Sequence, residues 1–334
     1  MHAVGRPLSV QDVPVPQIGP DEVLVETRTC GICGTDLHIL EGRGYVPPLP
    51  HILGHEPAGV VAEVGANASG LRVGDRVVPH LFFSCDRCRF CRLGRHQQCV
   101  NLKGILGVLS PGAFAEFFKA PGTNLFPLPA GVPFDAGGLI ADAVVTALHA
   151  AKRANLQIGD SAVVIGAGGV GQVLIQILQA HGVRVAAIDR SQEKLRLAQN
   201  MGAGLALGPD DPSLRSAILE FSGTEGASCV FNCVGSGPSM RLAADCLRRC
   251  GRIVVIGEEA DHLWLDTTEI AQRELEIIGS RNGTRQDMVE AIRLVGSGAV
   301  KPYVAARFPL EKINDAFECM RKGALGRVVI VVRE

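Results

Sequence analysis

The run Ser161-Ala-Val-Val-Ile-Gly-Ala-Gly-Gly-Val-Gly171, continuing as QVLIQILQAHGVRVAAID to Asp189, decides the fold. Ser161 to Ile165 reads as a short buried strand. Gly166, Gly168 and Gly171 then form a G-x-G-x-x-G pattern that opens a helix running to about Ala180. The pattern alone is weak, but here a strand precedes it, a helix follows it, and an acid, Asp189, ends a second strand about 20 residues on. Such glycines let the backbone approach a pyrophosphate, while the helix N-terminus offers amides and a partial positive charge. Asp189 can accept hydrogen bonds from adenosine ribose hydroxyls and would repel a 2′-phosphate, which favours NAD over NADP. Arg190 and Lys194 follow closely and pull the other way, because a cation there can neutralise that phosphate.

Toward the C-terminus the alternation of strand and helix continues. Ser228–Gly235, Arg252–Gly257 and Leu275–Gly279 read as further strands of a parallel sheet with crossover helices. Cys229, Cys233, Cys246 and Cys250 lie in these elements and read as buried thiols. An amphipathic helix is expected over Gln286–Val295, and a last strand, Arg327–Val332, can return to the sheet of a first domain, making the chain discontinuous.

Toward the N-terminus the texture is different. Glu22–Glu26, Ala58–Glu63 and Asp75–Val78 are short strands punctuated by Gly and Pro, the pattern of a small, partly open β-barrel. Gly65, Gly70 and Gly74 read as turn residues, since a phosphate-binding loop needs a following helix. Gly112–Phe118 reads as another strand, and Gly137–His149 as a helix of small residues. Asp142 is the one acid in that apolar run. A lone charge there is expensive unless paired or metal-bound, or else it caps the helix as its first residue.

Two stretches carry metal-ligand chemistry. Cys85, Cys88, Cys91 and Cys99 follow C-x2-C-x2-C-x7-C spacing, and four thiolates can saturate a tetrahedral zinc, which defines a structural site. An iron–sulfur cluster is the rival reading, although the fourth cysteine is not followed by proline. Arg87, Arg89, Arg92 and Arg95 interleave with the thiolates and offset their charge, and His96 reads as a surface residue. Upstream, Cys30–Glu56 reads CGICGTDLHILEGRGYVPPLPHILGHE. Cys33, His55 and Glu56 are zinc-ligand types, with Thr35 and His38 spaced to move a proton. Pro47, Pro48, Pro50, Gly42, Gly44 and Gly54 forbid a long helix, so these groups are expected on loops. Three other readings stand beside this one: a Cys30/Cys33 redox pair, a helical His51/His55 zinc pair, and plain core packing.

Composition bounds the partners. A chain of 334 residues implies two domains, and 47% hydrophobic residues can fill two cores. A net charge of -1 and a pI near 6.8 give no reason to expect nucleic acid or an anionic membrane, leaving small molecules as the expected partners. No run of about 18 apolar residues appears, and MHAVGRPLSV has no apolar signal region, so the cytoplasm is the expected location. The eleven cysteines then read as metal ligands and buried thiols in place of disulfides.

In order, GICGTDLH, GHE, the four-cysteine run and GAGGVG with its distal acid resemble the zinc-dependent medium-chain alcohol dehydrogenases, over essentially the whole chain to Gly326-Arg327. The resemblance implies an α/β chain: a GroES-like, partly open β-barrel catalytic domain at 1–142 with a zinc lobe at 85–99, a Rossmann doubly wound parallel sheet at 143–281, and a return at 282–334. It implies two zinc ions per chain. Cys33 and His55 resemble catalytic zinc ligands; the third family ligand is often cysteine, and the matching position here is Asp142, as in the branch that uses aspartate. Glu56 resembles the adjacent acid, ligating transiently or standing beside the site. Cys85, Cys88, Cys91 and Cys99 resemble the structural set.

By the same resemblance Thr35 and His38 form a proton relay, Val170 stands behind the nicotinamide, and Arg327 reaches the pyrophosphate held at Gly166, Gly168, Gly169 and Gly171. Thr146, Asp189, Arg190, Lys194, Val234 and Ile256 complete the cofactor contacts. Zinc with an open position lowers the pKa of a bound hydroxyl toward neutrality, so an alcohol can release hydride to the nicotinamide while Thr35 and His38 carry its proton away. The site is expected in the cleft between the domains, lined by Leu81, Phe82, Ile105 and Leu106, an apolar set that suits secondary or cyclic alcohols. A zinc-independent enone or quinone reductase would lack the ligand set found here, and a non-enzymatic nucleotide-binding protein would not need it. Family members are commonly dimers or tetramers, and Leu275–Gly279 could pair across a two-fold axis as an edge strand.

Overall fold

The computed structural model describes residues 1–259, 261–262 and 265–334. Contacts divide the chain into two compact units, Met1–Val145 with Gly283–Glu334, and Thr146–Asn282.

The first unit opens with short strands: β1 Glu22–Ile32, β2 Glu56–Val64, β3 Arg76–Pro79, β4 Phe82–Phe83, β5 Gly104–Ile105, β6 Phe117–Pro121 and β7 Leu125–Pro127. The long β1 is their spine. β2 runs antiparallel along one edge from Val23 to Gly31, while β6 pairs with the other edge only from Glu22 to Glu26. Register shifts at Leu24/Val25 and Thr27/Thr29 bend β1 where its partners change, which is how irregular pairing curls a sheet. Val25, Val61, Val77, Phe118 and Leu139 fill the enclosed core.

The strand expected from Gly112 begins only at Phe117. Gly112, Ala113 and Phe114 instead donate their amides to Ile52, Gly54 and Leu53, at 2.7, 2.9 and 3.0 Å. A Cβ on Gly112 would come within 2.5 Å of the Gly54 and Leu53 carbonyl oxygens, so only glycine allows this approach. The segment therefore braces the loop that carries His55.

A helical run from Phe134 to Ala154 follows, apolar and long enough by length and composition to cross a bilayer, a feature the sequence reading did not anticipate. Of its most apolar window 67% is buried in the protein, as in a core helix. Asp142 is not its first-residue cap. It sits inside the run, in a π-helical turn at Ile140–Val144, where the backbone takes up an extra residue and re-aims a side chain.

The second unit contains β8 Ser161–Ile165, β9 Arg184–Ile188, β10 Leu205–Leu207, β11 Ala227–Asn232, β12 Leu247–Val255 and β13 Glu276–Gly279. All are parallel, in the order β10-β9-β8-β11-β12-β13. This is the doubly wound order, with its switch point between β8 and β11. Val163, Ile165, Ala186, Ile188, Val230 and Ile253 pack with Met240 and Ala243 of the helix Gly237–Cys246. Cys229 and Cys246 are buried as expected; Cys250 is exposed, because it turns at φ +54 in the irregular start of β12.

After the helix Arg285–Gly296, the chain adds β14 Val304–Pro309 and β15 Arg327–Val331 to the first unit. β15 lies antiparallel on Thr29–Ile32 of β1, and β14 is parallel to β15. The C-terminal strand thus completes the sheet that carries Glu56 on β2 and whose β1 leads into Cys33.

Candidate metal centres and nucleotide loop

Four groups from three separate parts of the chain meet in the first unit. Cys33 stands between β1 and the helix Gly34–Leu40, His55 ends the braced loop, Glu56 begins β2, and Asp142 comes from the π-helical turn. One donor atom of each lies within 4.8 Å of all the others. Asp142 Oδ2 is 3.4 Å from Cys33 Sγ and 3.8 Å from His55 Nε2. Loops were expected to carry the whole set, but Glu56 is on a strand, and Thr35 and His38 share the short helix. Thr35 Oγ1 lies 3.9 Å from the Cys33 sulfur. Cys30 is buried in β1, where burial raises its thiol pKa well above normal, and its sulfur contacts the Gly31 carbonyl at 3.7 Å. The redox-pair reading fails on that contact, since Cys33 turns to Asp142. His51 is no helical partner of His55 either, for 51–55 carry no helix.

Two residues organise this cluster: Asp36, which sequence reasoning missed, and Arg327, which it expected at the pyrophosphate and which here pairs with the buried acids of the cluster. Asp36, fully buried, accepts hydrogen bonds from the Cys33 amide at 2.9 Å and the Gly54 amide at 3.3 Å, and lies 3.2 Å from His55 Nδ1. A carboxylate behind the imidazole fixes the ring and its tautomer, leaving Nε2 for a ligand. Its signal was legible as an acid three residues after the N-cap. Arg327, on β15, places Nη2 2.7 Å from Glu56 Oε1 and 3.5 Å from Asp142 Oδ2.

The electrostatics are those of a site built around a cation. Burial pushes Glu56 up to about 8 against the pull of Arg327. Burial also opposes a charge on His55, yet Asp36 and Asp142 outweigh it and raise the imidazole well above its normal range. Beyond the Arg327 ion pair at Oε1, the buried Glu56 carboxylate has no hydrogen-bond partner among the described residues. A thiol, an imidazole and two carboxylates so gathered fit a divalent zinc.

The second cluster is the cysteine lobe. Cys85 and Cys99 sulfurs are 3.5 Å apart, Cys88 and Cys91 3.4 Å, Cys88 and Cys99 3.9 Å, and Cys85 and Cys91 4.0 Å. A ZnS4 tetrahedron with bonds of about 2.3 Å has edges of roughly 3.8 Å, so four free thiols here match one ion and are too close for a multi-iron cluster. Backbone amides, that of Cys91 foremost, push Cys88 down to about 6, toward the thiolate a metal needs. His96, expected at the surface, is half-buried with Nε2 3.8 Å from Asp86. Leu81, Phe82, Ile105 and Leu106 are buried nearby in sequence, with Phe82 opposite Ile105 in the β4–β5 ladder.

In the second unit the glycine loop has the geometry its sequence asks for. Gly166 turns at φ +94, a Cβ on Gly171 would collide with the Gly166 carbonyl, and the helix Gly169–Ala180 starts immediately after Gly168. Asp189 accepts the Ala167 amide at 2.8 Å and the Ser191 amide at 2.9 Å, tying the loop to the end of β9. Arg190 is exposed; Lys194 and Val170 are half-buried. A Cβ on Gly166 would lie 3.0 Å from Val234, so this loop and the one after β11 are in contact. Asn232, another residue the sequence did not flag, holds the second loop: its Oδ1 accepts the Val234 and Gly235 amides at 3.0 and 2.8 Å, and its carbonyl accepts the Ile256 amide at 2.9 Å. Thr146 is buried on the helix Val145–Ala154.

Comparison with known proteins matches both halves. Residues 19–130 match an alcohol dehydrogenase GroES-like domain, and residues 169–297 a zinc-binding dehydrogenase domain. The chain is 36% identical over 330 residues to an alcohol dehydrogenase of Geobacillus stearothermophilus, covering 98% of this chain and 97% of that one. It is 31% identical over 342 residues to an NAD-dependent alcohol dehydrogenase of Sulfolobus acidocaldarius, covering 99% and 98%. The crystal structure of the alcohol dehydrogenase from Aeropyrum pernix superposes with a TM-score of 0.93 at 30% identity, covering 99% of this chain and 98% of that one.

Proposed function

The chain belongs to the zinc-dependent medium-chain alcohol dehydrogenase family, and from that membership we propose that it exchanges hydride between an alcohol and NAD, interconverting alcohol with ketone or aldehyde. The observation that carries this reading is the convergence of Cys33, His55, Glu56 and Asp142 on one point in the described residues. A zinc-independent reductase has no use for such a set.

In this reading Cys33, His55 and Asp142 hold a zinc ion, and Arg327 restrains Glu56 at its edge. An ion held by these residues would supply Lewis acidity toward a substrate oxygen and lower its pKa, the chemistry an alcohol needs before hydride leaves its carbon. Thr35 accepts the hydroxyl proton, and His38, one turn on along the same helix, passes it to solvent. Asp36 keeps His55 from rotating away. The glycine loop cradles the pyrophosphate on backbone amides, and Asp189 meets the adenosine ribose, which favours NAD; Arg190 and Lys194 leave some use of NADP open. Cys85, Cys88, Cys91 and Cys99 would saturate a second zinc with four thiolates, the ligand set of a structural site.

The substrate is a small molecule, and the apolar Leu81, Phe82, Ile105 and Leu106 favour a secondary or cyclic alcohol. The edge strand β13, with Ile277 39% exposed, suits pairing between two copies in a homodimer or homotetramer. A cytoplasmic location fits the free thiols.

Purified Cys33→Ser tests the reading by metal analysis alongside NAD reduction with a panel of primary, secondary, cyclic and polyol alcohols. Loss of turnover with loss of about one of two zinc ions is expected from the ligand count. Full turnover in that variant would reject it.

A further inference from the structure

The cysteine lobe does more than fold on itself. Its Asp86, in the turn between Cys85 and Cys88, adopts φ +55, a conformation an aspartate holds when local contacts fix it. Ser84 Oγ donates to one carboxylate oxygen at 2.6 Å. Arg285, far along the chain, closes on the same carboxylate: Nη1 lies 3.0 Å from Asp86 Oδ1 and Nη2 3.4 Å from Oδ2. The same Nη2 also reaches Asn124 Oδ1 at 3.1 Å. Asn124, buried, donates to the carbonyls of His80 and Phe82 at 2.7 and 2.9 Å, and His80 Nε2 meets the Gly283 carbonyl at 2.9 Å. The network therefore grips Gly283 and Arg285 at once.

Gly283 is the residue at which the chain rejoins the first unit, and Val145 is the last before it leaves. They are packed together so closely that a Cβ on Gly283 would lie 2.6 Å from Val145 Cγ2. Thr284 and Asp287 make the return rigid with a reciprocal cap: the Thr284 amide donates to Asp287 at 2.9 Å and the Asp287 amide to Thr284 Oγ1 at 3.0 Å. Gly283, Thr284, Arg285 and Asp287 are each held by a named contact.

We infer that the cysteine lobe is a latch on this return segment, with Arg285 as the positioning residue through which the lobe's metal and residues 283–288 stabilise each other. The inference rests on the lobe holding zinc, as proposed above. A metal that fixes the Cys85–Cys88 turn fixes Asp86, Asp86 fixes the guanidinium, and the guanidinium fixes the start of the helix Arg285–Gly296. Because coupling between two sites is reciprocal, loosening either end must loosen the other.

The test uses the full-length protein with its zinc. Equilibrium competition with a colorimetric chelator resolves two ions, assigned by comparison with Cys33→Ser and Cys99→Ser, and amide exchange is followed by mass spectrometry. In Arg285→Gln the lobe's zinc should bind about tenfold more weakly in equilibrium competition with the chelator, the size of an ordinary coupling between sites, while zinc at the Cys33 centre competes as before. In Cys99→Ser, exchange should rise over 283–288 and stay unchanged over Val328–Ile330. Asp86→Asn, which keeps the turn's size but weakens the charge pair, should fall between wild type and Arg285→Gln. A lobe that binds no zinc in the wild type would sink both this inference and the structural-zinc reading. A lobe that holds zinc, with zinc affinity unchanged in Arg285→Gln or exchange at 283–288 unchanged in Cys99→Ser, would overturn the latch alone.

Discussion

Asp36 Oδ1 lies 3.2 Å from His55 Nδ1, and the other oxygen of the same carboxylate takes the Cys33 amide at 2.9 Å. One buried acid thus sets the position of two groups in the candidate metal cluster. Carboxylates placed behind a ligating histidine typically contribute ten- to a hundredfold in metal affinity or activity. Asp36→Asn should lose activity in roughly that range, with a matching loss of zinc from the Cys33 centre and none from the cysteine lobe. Metal titration of the variant decides it; wild-type affinity would remove Asp36 from the site.

Gly31 is the glycine on which the cluster depends most directly. An added Cβ would collide with the Glu56 carboxylate and with Leu139 Cδ2, both buried and unable to retreat. Gly31→Ala should destabilise the protein by about 1–3 kcal/mol, the usual range for overpacking, and impair zinc binding at the Cys33 centre. Gly131→Ala, where nothing lies within 4 Å, is the matched control and should be close to neutral. Equal denaturant midpoints for the two variants would contradict the packing argument.

His80 predicts an acid-sensitive stability. It is fully buried, with Nε2 at the Gly283 carbonyl, and burial holds its pKa down at about 4. The unfolded chain, with an ordinary histidine pKa of about 6.5, binds the extra proton first as pH falls. This contribution is therefore complete above about pH 6.5 and is lost progressively toward pH 4, to the extent of roughly 3 kcal/mol. Urea midpoints at pH 7 and pH 5 should differ less in His80→Gln than in the wild type. An unchanged difference would show that His80 is not the titrating group.

Asp189 joins two tasks that a simple cofactor swap cannot separate. In the proposed function its carboxylate meets the adenosine ribose, while in the structure its two oxygens anchor the Ala167 and Ser191 amides. Asp189→Ser should raise the KM for NAD by about ten- to a hundredfold, the loss expected for charge-assisted hydrogen bonds. NADP should gain relative to NAD without approaching wild-type use of NAD, because the glycine loop loses its tether. Steady-state kinetics with both cofactors measures this, and an efficient NADP enzyme from that one change would refute the tether.

Much of this was legible because it is local. The glycine loop, its strand and its helix follow from G-x-G-x-x-G and side-chain periodicity, and the cysteine lobe from spacings that bring four thiols within reach of one ion. Gly112–Phe118 misled because its alternation was real while its hydrogen bonds went to residues 52–54, a partner no local pattern names. Asp142 was visible as an unaccompanied acid in an apolar helix, but not as part of a π-helical turn, which depends on packing along the whole run.

By itself the sequence determined the two kinds of domain, the ligand types and the nucleotide motif, since each is encoded in residues close together in the chain. The tertiary structure alone decided which distant groups meet: Asp142 beside Cys33, Arg327 against Glu56, Arg285 upon Asp86. These pairs lie more than a hundred residues apart, and their meeting depends on how a bent β1 and a returning C-terminal strand close one sheet. No window of sequence holds that closure, because the burial that drives it is shared by the whole unit.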